Sequence, residues 1–162
     1  VAFPVVEQIA DVIVTRLVAL QNDINAEVAV SEVVRPTRFA NYTPKDNQIV
    51  ITQGDNERVP ELDHPGNPPA TARRQRFNIR LHVMPSEKDT TAVDEHVNLF
   101  AAEVMQAITT PQATWHNFGA LAIDAEFDSH EPIDSDGSFD GVNIPLLVTY
   151  RTSENDPYTV RS

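Results

Sequence analysis

Chemistry needs side chains of particular types within reach of one another, and this chain offers few such groupings. Its histidines, His64, His82, His96, His116 and His130, form neither an HExxH arrangement nor a pair four apart on a helix. Those beside acids, Asp63-His64 and Glu95-His96, read as solvated surface. The densest polar run is Asp128, His130, Glu131, Asp134, Asp136 and Asp140. Clustered oxygens suit a hard cation such as Ca2+ or Mg2+, which makes Asp134, Asp136 and Asp140 the weak metal candidates. Phe139 stands where the EF-hand loop requires glycine, and no terminal Glu follows at the right distance. The expectation is an acidic loop and no metal. Asp124, Glu126 and Asp128 alternate along one strand, as an acid/base pair would require, but nothing beside them supplies the burial that shifts a pKa. There is no GxSxG, no P-loop and no GxGxxG. With no cysteine, disulfides, thiolate metal sites and cysteine nucleophiles are excluded together. No active site and no cofactor are expected.

The arginines are more informative. Arg73, Arg74, Arg76 and Arg80 fall within eight residues that hold no acid. Phe77 belongs to the apolar side of that strand, so the basic run lacks the interleaved aromatics of a nucleic-acid groove. The whole chain carries 24 acids against 12 bases, a net charge of −12, which opposes binding to a polyanion. Arg outnumbers Lys, and its planar fork suits bidentate pairing with carboxylates, as at protein interfaces. The acids concentrate elsewhere: from 120 to 162 stand nine, against only Arg151 and Arg161. This asymmetry reads either as two solvated faces or as a charge-complementary contact between copies of the chain. The second reading makes Arg73, Arg74, Arg76 and Arg80 a subunit interface, with Asp124, Glu126 and Asp128 its acidic counterpart.

The elements that must position these residues follow from periodicity. Val5, Ile9, Val12, Ile13, Leu17 and Leu20 give one apolar stripe, predicting a helix from Pro4 to Gln21. Ala29–Ala40, rich in β-branched residues and broken by Pro36, reads as an edge strand, and Asn47–Gln53 as a compact strand ended by Gly54. The turn residues between them predict a hairpin. Gly54 to Ala72 contains four prolines and two glycines and reads as an irregular arm protruding from the sheet, with Arg58, Glu61 and Asp63 as its partner-contact residues. Arg73–Met84 is the clearest strand, with Phe77, Ile79, Leu81 and Val83 on one side and Arg76, Asn78, Arg80 and His82 on the other. Asp89–Ile108 reads as a second helix with Val93, Val97, Phe100, Val104 and Ile108 inward and Asp89, Thr90 or Thr91 as cap. Leu121–Ser129 and Val142–Thr152 alternate as strands, Pro145 marking an edge or bulge. The polar residues 152–162 form an extended tail.

At 162 residues this is one domain. Strands with one apolar and one polar face predict an antiparallel sheet covered on one side. The expected class is α+β: a single mostly antiparallel sheet with two amphipathic helices on one face. No apolar run is long enough to span a membrane, and Val1-Ala2-Phe3-Pro4 lacks the features of a signal peptide, so a soluble protein is expected.

Taken in order, FPVVEQIADVIVTRLVAL leads into EVVRPTRF and QIVITQG. A Pro-rich insertion, RRQRFNIRLHVM, VDEHVNLFAAEVMQAI and two closing strands follow. From about Phe3 to Arg151 this pattern resembles the tail terminator (tail completion) proteins of long-tailed bacteriophages, the group that includes the lambda tail terminator. The resemblance rests on element order, size and local phrasing rather than a signature motif, and the Gly54–Ala72 segment departs from the shortest members. It implies a structural virion protein rather than an enzyme. Such a protein would form a ring, usually six-fold, that caps the tail tube, stops its polymerisation and joins it to the head. The implied partners are further copies of the chain, the tail tube protein and a head–tail connector or stopper. DNA would only pass through the lumen, and Asp124, Glu126 and Asp128 would suit its wall. The implied location is the virion neck, assembled in the host cytoplasm, with no membrane contact. Two other readings remain: another neck component, such as a stopper or head-completion protein, or a divalent-metal module or enzyme using the acidic 128–140 loop.

Overall fold

A computed structural model describes residues 2–36, 43–85, 92–133 and 140–161. Two helices, α1 (Val5–Gln21) and α2 (Val93–Ile108), pack on one face of a seven-stranded, mostly antiparallel sheet. The α+β, helix-on-sheet architecture expected from one-sided strand patterns is therefore present. The strands are β1 (Glu32–Val34), β2 (Gln48–Arg58), β3 (Ala70–Val83), β4 (Asp124–Phe127), β5 (Glu131–Pro132), β6 (Asp140–Ser153) and β7 (Asp156–Val160). Their order is β1-β2-β3-β6-β4, with β5 and β7 also paired to β6.

The long strands β3 and β6 form the centre, in unbroken register from Ala70↔Ser153 to Val83↔Asp140. Phe77, Ile79, Leu81 and Val83 face Ile144, Leu146 and Val148 on one side, all fully buried beneath the helices. Ile9, Ile13 and Leu17 of α1 and Phe100, Val104 and Ile108 of α2 complete this core. Each such side chain, taken from water, contributes about 1.5–3 kcal/mol. Arg16 of α1 closes the far end of the helix layer. Its Nη1 donates to the Ile108 carbonyl at 2.7 Å, at the end of α2, and its guanidinium lies 4.7 Å from the centre of the Phe118 ring.

β6 is an interior strand, which the reading of Pro145 as an edge residue did not anticipate. Its far side is covered piecewise: β5 pairs at Asn143, β4 from Leu146 to Thr149, and β7 at Thr152 and Ser153. Pro145 sits where β4 gives way to β5, and its carbonyl accepts from Asp128 N at 2.9 Å. In a strand, a residue's N–H and C=O point the same way, so the donor that Pro145 lacks faces this interruption.

Three further expectations change. β1 is only three residues long and pairs with β2 in parallel, not as a hairpin. Turn-forming residues do not say where a chain goes next, and the interval 35–47 has the dozen or so residues that a parallel return needs. Residues 37–40 of the expected Ala29–Ala40 strand, and 41 and 42 of the expected turn, lie outside the described residues. The Glu7 and Arg35 side chains pair bidentately and pin that return to α1. The irregular stretch read from Gly54 to Ala72 is much shorter. β2 runs through Gly54 to Arg58 by means of a bulge between Gln53 and Asn56, and β3 already begins at Ala70. One extra residue in β2 absorbs the glycine and lets the ladder continue. The connection 59–69 is held down rather than protruding: Arg151 Nε donates to Leu62 O at 2.9 Å and Glu154 N to Pro69 O at 3.0 Å. Finally, α2 begins at Val93 without a side-chain cap, and the proposed caps Asp89, Thr90 and Thr91 lie outside the described residues.

Candidate assembly surface

The face of the sheet turned away from the helices is polar. β3 places Arg74, Arg76, Asn78, Arg80 and His82 on it, because alternate residues share a face. Arg73 has the opposite parity and lies on the helix side, facing Arg58 across the ladder. The four arginines of the basic run are therefore divided between two surfaces. Asp124 and Glu126 of β4 stand opposite Thr149 and Leu147 of β6, which pair in turn with Arg74 and Arg76. Rows two strands apart are about 10 Å apart. A basic row and an acidic row thus share one face of the chain.

Among the described residues their contacts with one another are few. Arg76 is the satisfied member: Nη2 meets Glu131 at 2.8 Å, Nη1 lies 3.9 Å from Asp128, and Nε donates to Asn78 Oδ1 at 3.0 Å. Arg76 and the Asn143 amide, 3.2 Å from Glu131, hold the Glu131 carboxyl below the usual range, the amide hydrogen bond being the larger influence. Arg80 has no carboxylate partner among the described residues, and its Nε is buried without a hydrogen bond. The Oδ1 of Asn143, directly opposite Arg80 in the ladder, is likewise unbonded. Among the described residues Arg74 reaches only the Thr149 hydroxyl, at 3.4 Å. His82, nearly buried beside Arg80, is held below the usual imidazole range, first by burial and then by the Arg80 charge. Asp124, Glu126 and Asp128 are exposed.

The other sequence candidates fall elsewhere. Asp63 braces the β2–β3 connection, accepting from Ala72 N at 2.7 Å and pairing with Arg58 at 2.9 Å. These two contacts, the backbone one first, lower its pKa. Glu61 is exposed on a single 3-10 turn, Pro60–Leu62. Asp140 opens β6 opposite Val83, while Asp134 and Asp136 lie outside the described residues. Among the described residues no three of His, Asp and Glu come together as a metal site.

Sequence reasoning missed a buried polar hub on the helix side. Gln75, 3% exposed, donates to the carbonyls of Gly54 (3.0 Å) and Arg76 (2.8 Å) and accepts from Asn56 Nδ2 (2.8 Å), which also donates to the Tyr150 hydroxyl (3.0 Å). Gln75 shares parity with Phe77 and Ile79, and a glutamine in line with core residues was the available signal. No helix among the described residues is long and apolar enough to cross a membrane. The chain matches no model of a known protein family and no curated protein sequence.

Proposed function

We propose that this chain is a structural virion protein that self-associates into a ring, six-fold by analogy, to cap a phage tail tube and join it to the neck. The observation that carries this reading is the two-signed outer face. Among the described residues Arg74 and Arg80 stand there without carboxylate partners, two strands from the exposed Asp124 and Glu126. In a chain of net charge −12 an arginine is rarely short of an acid nearby, so cations left uncompensated point to a carboxylate supplied by a neighbour. A ring requires a patch on each subunit to meet a different patch on the next. Arg76, engaged by its own chain, is removed from the interface set, and Arg74 and Arg80 carry it. The resemblance of FPVVEQIADVIVTRLVAL and RRQRFNIRLHVM to tail terminator segments supplies the tail-tube assignment. Placement at the virion neck, contact with tube and connector proteins, and passage of DNA past the acidic row belong to the same proposal. The test is elongation of purified tail tube protein in vitro. Added protein should bind one end of the tubes as a ring and arrest growth; tubes that lengthen at an unchanged rate contradict the reading.

A further inference from the structure

A second basic site lies on the helix side, independent of the ring reading. At the start of α1 a groove of about 430 Å3 opens between Val6 and the far ends of β2, β3 and β6. Arg58 and Arg73 stand directly opposite each other across its floor. Like charges in this position destabilise a sheet unless something offsets them. Asp63 neutralises Arg58, but Arg73 donates only to Asn56 Oδ1, at 3.2 Å, and has no carboxylate among the described residues. Thr152 lines the same groove while 7% exposed, and among the described residues its hydroxyl makes no hydrogen bond. α1 begins here without a side-chain cap. Pro4 O accepts from Glu7 N and Gln8 N, and Val6, in the first turn of α1 where the helix carries its partial positive charge, lines the groove.

We propose that this groove binds a carboxylate, presented by an acidic side chain of a partner polypeptide, between Arg73, the Thr152 hydroxyl and the first turn of α1. The charge count selects a monoanion. One uncompensated guanidinium matches one negative charge, whereas a phosphate dianion would bring a second against Glu154 at the rim. A guanidinium edge and a hydroxyl donor fit the two oxygens of a carboxylate. Val6, Pro157 and the Tyr150 ring give apolar wall to the alkyl stem that would carry it.

The experiment is an NMR titration of the full chain with acetate and, separately, inorganic phosphate at matched ionic strength and pH 7.5. Acetate should shift the amides of Val6, Arg73 and Thr152 saturably. Arg73→Gln should weaken acetate by about tenfold, and Thr152→Val should weaken it less, both keeping the wild-type thermal midpoint. Phosphate binding more tightly than acetate would overturn the monoanion assignment. Shifts that do not saturate, or that survive Arg73→Gln, would overturn the site. Tube-capping activity plays no part in this readout, so the ring reading and the groove fail separately.

Discussion

His82 shows how a single residue couples the outer face to stability. Burial first, and then the Arg80 charge, hold its imidazole pKa in the fold below the ordinary 6.5. The unfolded chain then binds more protons than the native one as pH falls through 6.5, so stability is complete above that value and declines below it. Chemical denaturation between pH 7.5 and 5 should show this decline, and His82→Gln should flatten it. Arg80→Gln should raise the His82 pKa measured by NMR, because it removes the second influence. At the same scale, Gln75→Leu removes the buried glutamine's bonds to the Gly54 carbonyl and the Asn56 amide, which belong to exposed residues that water can reach, and should cost about 1 kcal/mol in urea unfolding. Of these residues, the sequence marked His82 and Arg80 as sharing a strand face with Arg76. It did not show that Arg76 meets Asp128 and Glu131 of its own chain, because that contact depends on β4 and β5 both aligning along β6. Nor did it separate Arg73 from its neighbours, although parity alone would have done so.

Among the elements, periodicity located the long ones. α1 was expected to Gln21 and ends there, and the apolar and polar sides of β3 and β6 are as the alternation requires. The errors fall where a tertiary partner decides. β2 continues through Gly54 because Gln75 binds the Gly54 carbonyl and fixes the bulge, and a glycine next to acids carries no trace of that partner. β1 turned out parallel because the register Glu32↔Gln48 is set by the fold rather than by the intervening turn residues. Two substitutions test how the elements are joined. A Cβ at Gly141 would overlap the Leu81 carbonyl oxygen, far inside van der Waals distance, where β6 and β3 approach each other. Gly141→Ala should therefore destabilise by about 3 kcal/mol or more, as measured by thermal or urea unfolding. Arg16→Met removes a cation and a donor from the end of α2 and the stacking over Phe118, and should cost about 1–2 kcal/mol.

For the whole molecule, the sheet has one side buried beneath two helices and the other left polar, charged in two rows and only partly paired with itself. The buried side accounts for folding; the charged side is the surface proposed for association. Arg74→Glu and Arg80→Glu should weaken self-association measured by native mass spectrometry at least about tenfold, at a pH above 7 where each variant is checked to remain folded. Arg76→Gln, which breaks a contact internal to the subunit, should leave association nearly unchanged. A chain whose association is indifferent to Arg80 would move the subunit contact off this face. The central claim, that the ring ends a tail tube, is tested most directly by electron microscopy of particles assembled without this protein. Overlong tubes lacking a ring at their head-proximal end are the predicted result. Tails of regular length, joined normally to heads, would contradict it.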